Sequence, residues 1–256
     1  MDKSTNIEIT QDFLYMLYKA ENSLWYINSL IASKSSLAYA AIKFKNHEDV
    51  YVWLDSLVIE GEWYHGRLSE TGENKRIKIN EAVDWMIVEN GQLLGGYTIQ
   101  HYYDSLCADD KINFEIECGF RIDGGNDFFP PDRSTPEGTI ITLENFYNEE
   151  NIDGILSCKD FFKEAKNVLR ESEIEENPEM INKIASVLKI SFHEELESNG
   201  YPFFGDVKRT FKLLEKHNDQ QLIEENIFFP DGTNVVNKFW LAKSGNDGWK
   251  VLNLIS

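Results

Sequence analysis

The residue types able to carry proton transfer or metal chemistry are few and scattered in this chain. Its five histidines are His47, His65, His101, His193 and His217, and His193-Glu194-Glu195 lacks the second histidine of a zinc-binding helix. An acid–base site is conceivable if His65, Asp84 and His101 converge in one pocket, where close packing would perturb their pKa values. Asp109, Asp110, Glu115 and Glu117 form a second cluster. Read as a strand, this segment puts Glu115 and Glu117 on one face, where paired carboxylates either do acid–base work or stand in solvent. Asp123-Gly124-Gly125-Asn126-Asp127, with Asp132 downstream, offers oxygens to a hard cation such as Ca²⁺. That segment does not follow the EF-hand pattern, and turn chemistry accounts for the same residues. The chain has no glycine-rich dinucleotide fingerprint, phosphate loop, Cys-x-x-Cys pair or Gly-x-Ser-x-Gly elbow. The motifs therefore assign no catalytic residue, metal or cofactor.

Composition narrows the partners. The 256 residues are 42% hydrophobic and 13% aromatic, enough to build an ordered core. Lys plus Arg number 25 against 44 Asp plus Glu, a net charge of −19. Such a chain repels nucleic-acid phosphates and anionic membranes and attracts a basic protein. The three cysteines, Cys107, Cys118 and Cys158, are odd in number and fit no zinc spacing, so buried free thiols are expected. The start, DKSTNIEITQDF after Met1, has no basic region followed by an apolar stretch. Apolar runs such as SSLAYAAIKF are too short and polar to span a bilayer. A cytoplasmic location is expected.

The elements that must position these residues follow from periodicity. Thr10 reads as the N-cap of a helix carrying Phe13, Leu14, Leu17 and Tyr18, and Leu24, Ile27, Leu30 and Ile31 continue its period. A β-rich region follows, with strands in AYAAIKF, VYVWLDSLVI, EWYHGRL, KRIKIN and the long stretch AVDWMIVENGQLLGGYTIQHYY. Turns are expected at Gly61-Glu62 and Asn90-Gly91. Two more strands are expected at Ile112–Ile116 and Thr139–Leu143. Phe161, Phe162, Ala165, Val168 and Leu169 mark a helix, and the run Glu171 to Glu179, which has no base, reads as a linker. A further helix ends at Asn199-Gly200, VKRTFKLLEK fits helix or strand, and the remainder is an antiparallel meander turning at Pro230-Asp231-Gly232. The expected class is α+β: an N-terminal helix packed on a strongly bent antiparallel sheet, then a second helical plus meander unit. The expected domains are 1–150 and 172–256, with 151–171 as a connecting helix.

Aromatic residues concentrate in the β-rich region. Trp53, Trp63, Tyr64, Trp85, Tyr97, Tyr102 and Tyr103 serve either as core or as an exposed face that anchors a partner. Gly95-Gly96 permits a close backbone approach, and Asp84 can accept backbone hydrogen bonds and fix the turn beside Trp85. The blocks AIKFK, VYVWLDSL and HGRLSE, with Gly66 and Leu68, lead into VDWMIVENGQLLGGYTIQ, with Asp84, Trp85, Met86, Gly91, Gly95, Gly96, Tyr97 and Thr98. Across about residues 20–100 the chain resembles the YegJ-like bacterial family of unknown function. That resemblance implies a compact α+β domain and no established activity. The tail is loosely similar to the last strands of cystatin-like or nuclear-transport-factor-like folds. Three functions follow as expectations. The first is a cytoplasmic interaction protein, such as an immunity protein neutralising a basic toxin. The second is a small-molecule binding module, and the third an enzyme. The candidate interaction or pocket residues are Trp53, Trp63, His65, Asp84, Trp85, Tyr97 and His101.

Overall fold

The computed structural model describes residues 9–33, 37–122 and 125–255, the last three without their side chains. The described chain is α+β and divides into two compact units, 1–128 and 129–256.

The first unit opens with α1 (Gln11–Ala32), capped as its sequence predicts: the Thr10 hydroxyl accepts from the Phe13 amide at 3.1 Å. Its buried face runs through Phe13, Ala20, Ser23 and Ile27. Six strands follow: β1 (Tyr39–Lys45), β2 (Tyr51–Glu60), β3 (Trp63–Leu68), β4 (Asn74–Lys78), β5 (Ala82–Glu89) and β6 (Gln92–Gly95). They form one sheet in the order β4-β3-β2-β1-β5-β6, every neighbouring pair antiparallel. Glu60 pairs with Trp63 and Glu89 with Gln92, so both turns contain two residues, as expected. Asn90 and Gly91 both have positive φ, the conformation that matches the twist of the flanking strands. Strand alternation sends Ile42, Phe44, Leu54, Trp85 and Ile87 into the core shared with α1. The other face carries Ala41 and Met86, packed with Leu93 and Ile122. Register shifts after Lys43 and after Asp55 bend the sheet.

Past β6 the structure departs from the sequence reading. YTIQHYYD is α2 (Tyr97–Asp104), and the expected strand at Ile112–Ile116 lies in α3 (Ala108–Cys118). Alternating Ile112, Phe114 and Ile116 imitate a strand. The stronger local signals are Asp109 and Asp110 in the first turn and Gly119 in the left-handed conformation at the end. Glu115 and Glu117 therefore sit two apart on a helix and face different ways.

In the second unit, the expected strand at Thr139–Leu143 lies in α4 (Pro136–Asn148). There Thr135 accepts from the Gly138 amide at 2.9 Å and Pro136 opens the first turn. Next come α5 (Ile152–Ser157), α6 (Phe161–Glu171) and α7 (Pro178–Asn199). All but the first residue of the ambiguous VKRTFKLLEK lies in β7 (Lys208–His217), followed by β8 (Gln220–Phe228), β9 (Asn234–Lys243) and β10 (Trp249–Ile255) in a four-stranded meander. Phe161 and Ala165 of α6 pack on Ala185 of α7, so the acidic run between them is a turn joining packed helices. The chain divides into its compact units between Phe128 and Phe129, and within the second α6 shares its core with α7 and also meets β10. Of the cysteines only Cys158 is buried; against expectation Cys107, the N-cap of α3, and Cys118, in its last turn, are exposed on a helix that buries none of its residues. Among the described residues no helix is long and apolar enough to cross a membrane.

Three charged side chains are buried together in this unit: Glu144 on α4, Arg209 on β7 and Glu225 on β8. Arg209 pairs with Glu144, and its Nε lies 3.9 Å from Glu225 Oε1. One cation thus faces two carboxylates. Burial, partly offset by Arg209, pushes the Glu144 pKa up to about 7. Burial and then repulsion from Glu144 push Glu225 well above the ordinary range. Unfolded carboxylates release their protons near about pH 4.3, so between there and about pH 7 the folded state holds the extra proton. Stability should therefore fall as pH rises through this window, by up to about 1.4 kcal/mol per pH unit for each retained proton. Urea unfolding of the full chain across that range should show the slope and a flatter one for Glu144→Gln. A level profile in the unsubstituted chain would refute the account.

Candidate functional site

The block that looked most specific in sequence is built around Asp84, which is fully buried on β5. The N-cap of α2 is Gly96, in the left-handed conformation and without a side chain to cap the helix. Asp84 takes over that role from a neighbouring strand. Its Oδ1 accepts from the amides of Trp85 at 2.8 Å and Tyr97 at 3.2 Å. Its Oδ2 accepts from the Thr98 amide at 2.8 Å and the Thr98 hydroxyl at 2.6 Å. A carboxylate at a helix N-terminus is also favoured by the helix dipole. Lys43 lies opposite Asp84 across the β1–β5 pair, and its Nζ donates to the Thr98 hydroxyl at 2.9 Å. Burial lowers the Lys43 pKa, and the Asp84 charge pulls it back. Burial raises that of Asp84, against the Thr98 hydrogen bonds, Lys43 and the Trp85 amide.

The two glycines fit the same geometry. A Cβ on Gly95 would stand 2.6 Å from the Trp85 carbonyl oxygen and 2.7 Å from its indole, at a φ of +66°. Trp85 is fully buried, donates from Nε1 to the Ser23 hydroxyl at 2.9 Å, and meets the buried Tyr97 ring edge-on at 6.2 Å. Asp84, Trp85 and Tyr97 are thus brought together in the core.

The remaining candidates lie elsewhere. His65 is on β3, separated from β5 by β2 and β1, which at strand spacing is about 14 Å. Its Nε2 lies 3.6 Å from Glu60. His101, on α2, packs its ring on Phe13 with centroids 5.4 Å apart. The acid–base site of His65, Asp84 and His101 is therefore not assembled, because the sheet order separates His65 from Asp84. Trp53 and Trp63 are half-buried on the sheet face away from α1. Lys43 lies 5.2 Å from the Trp53 ring, and Arg76 and Lys78 lie 4.9 and 5.8 Å from that of Trp63. Cations of the chain itself cover these rings. In the candidate cation loop, Asp123 and Gly124 lie outside the described residues. Asp127 forms a buried ion pair with Lys19 at 2.7 Å, and Asp132 accepts from the Ser134 amide and hydroxyl. Among the described residues no group of three or more His, Cys, Asp or Glu is placed to hold a metal.

The strand reading concealed the exposed face of α3. On its inner side Phe114 packs against Tyr103, and Glu115 accepts from the Tyr103 hydroxyl and the Ile122 amide, both at 2.9 Å. The opposite arc carries Ile112 and Ile116, 59% and 73% exposed, with Asp109 one turn before Ile112 and Glu117 at the edge of the arc. Testing the segment at helical as well as strand period would have revealed it.

Residues 28–122 match a family described as "Uncharacterized protein conserved in bacteria (DUF2314)". The match supports a bacterial domain of unknown function across this segment, which includes the sheet, α2 and α3. The chain is also similar to a Neisseria meningitidis serogroup B protein whose name proposes ankyrin repeats, at 23% identity over 154 residues. That similarity covers 54% of this chain and 56% of the relative, so the chain spans about half of that protein's length.

Asp84→Asn keeps the shape but replaces one acceptor oxygen with a donor. It should destabilise the chain by about 3 kcal/mol, as expected for breaking a buried, charge-assisted network. Urea unfolding would check this, and a loss under about 1 kcal/mol would refute the capping role.

Proposed function

We propose that the chain is an interaction protein that takes a basic protein partner on the outer face of α3. The observation that carries this reading is the exposure of Ile112 and Ile116 on one arc, with Asp109 on the same arc and Glu117 at its edge. Two adjacent apolar side chains offer an anchor that water does not favour. The carboxylates beside them, on a chain of net charge −19, speed encounter with a positive surface and penalise a negative one. An immunity protein that neutralises a basic toxin is the particular role this chemistry suits best. The YegJ-like resemblance implies a compact α+β domain and no established activity. Two exposed free thiols suit a reducing cytoplasm, where such a partner would be met.

The test is co-purification with the full chain as bait, in cytosol of the bacterium that carries it, at low and moderate salt. The expected result is a stoichiometric basic protein whose retention weakens with salt and is lost for the pair Ile112→Ser and Ile116→Ser. With the partner in hand, Asp109→Asn with Glu117→Gln should slow association about tenfold at low salt. A partner held equally well by the serine variants, or no stoichiometric basic partner at either salt, overturns the reading.

A further inference from the structure

The second unit contains a cleft of about 900 Å³ bordered by α6 and α7, within the size range of small-molecule sites. Its charge is opposite to that of the chain. Lys159, Lys163, Lys166, Arg170, Lys189 and Lys250 line it, against Asp160 and Asp219. Both acids are committed within the fold. The Asp160 side chain caps α6 by accepting from the Lys163 amide at 3.0 Å, and Asp219 pairs with the Lys163 ammonium. Arg170 pairs with Glu176 at 2.6 Å, and Lys250 lies 3.3 Å from Asp247.

Lys166 on α6 and Lys189 on α7 are exposed and have no ion pair among the described residues. Gathering six cations around one cavity in a chain of net charge −19 opposes their mutual repulsion. An anion placed among them relieves it. Lys159 is held at the wall by the Leu252 carbonyl at 3.1 Å and the Phe192 ring at 4.7 Å, so part of the positive lining is fixed in place. Phe162, 58% exposed, also lines the cleft and offers a flat apolar surface beside the cations.

We propose that this cleft binds a small molecule carrying two or more phosphate groups and an aromatic ring, the chemistry of a nucleoside diphosphate. The phosphates lie among Lys163, Lys166, Arg170 and Lys189, and the ring rests on Phe162. The sequence shows part of this site without its partners. Lys163, Lys166 and Arg170 are spaced three and four apart on α6, one helical stripe, while Lys159, Lys189 and Lys250 join only through the fold. The cleft lies outside the segment that matches the bacterial family, and it is independent of the α3 face.

Titration calorimetry of the full chain with ADP, inorganic pyrophosphate and inorganic phosphate, at two salt concentrations, tests the proposal. ADP should bind most tightly and inorganic phosphate least, each weakening with salt. Lys166→Gln with Lys189→Gln removes two exposed cations that have no ion pair, so folding is retained. That double variant should lose at least tenfold in affinity for ADP and pyrophosphate alike. Phe162→Ala should bring ADP down to the level of pyrophosphate. Lys216→Gln, on β7 and outside the cleft, should change nothing. The proposal fails if none of the three anions binds at millimolar concentration, or if the double lysine variant binds ADP as well as the parent chain. It also fails if a short single-stranded oligonucleotide binds more tightly than ADP through the same lysines, which would make the cleft a polymer groove.

Discussion

The first unit depends on one buried charge. Asp84 is fully enclosed, and an enclosed carboxylate is tolerable only when its lone pairs are occupied. Two backbone amides of α2, the Trp85 amide and the Thr98 hydroxyl occupy them. The same contacts decide where the sheet ends and the helix begins. Because Gly96 has no capping side chain, α2 takes its N-terminal acceptor from β5. Because Gly95 must pass against the Trp85 indole, no larger residue fits there. Trp85 in turn reaches Ser23 on α1, so strand, helix and core are joined through adjacent residues. Lys43 completes the arrangement through Thr98 and places a cation over Trp53.

Both units bury charge, with different balances. In the first, Lys43 faces Asp84, and Lys19 pairs one-to-one with Asp127 in a buried bridge at 2.7 Å. In the second, Arg209 faces two carboxylates, and burial followed by their mutual repulsion pushes Glu225 above its ordinary range while burial raises Glu144. An isosteric apolar replacement of such clusters is often no less stable, so burial energy alone does not explain them. What they provide is position: each links elements far apart in sequence.

The surfaces divide differently from what the net charge suggests. A chain of −19 carries an acidic, partly apolar helix face on α3 and a positive cleft beside α6. Net charge governs long-range encounter, while the local arrangement of side chains governs what is held. Both readings rest on how the fold groups these side chains.

Local signals could be read directly from the residues. The Thr10 cap, the two-residue turns at Gly61-Glu62 and Asn90-Gly91, and the end of α7 at Gly200 each depend on a few neighbouring side chains and φ angles. So did the idea that Asp84 accepts backbone hydrogen bonds. The stretches that misled were α2, α3 and α4, where Tyr, Ile and Thr favour strands. In α2 the capping residue is 13 positions away from Tyr97, beyond any local window. The sequence by itself determined the α+β class, the start of α1, the two hairpin turns of the first sheet and the strong negative charge, because these depend on composition and neighbours. Only the tertiary structure decided that His65 and Asp84 stand apart, that Ile112 and Ile116 face outward, and that six cations share one cleft. Those outcomes depend on which distant segments pack together, and packing is settled by burial of the whole chain.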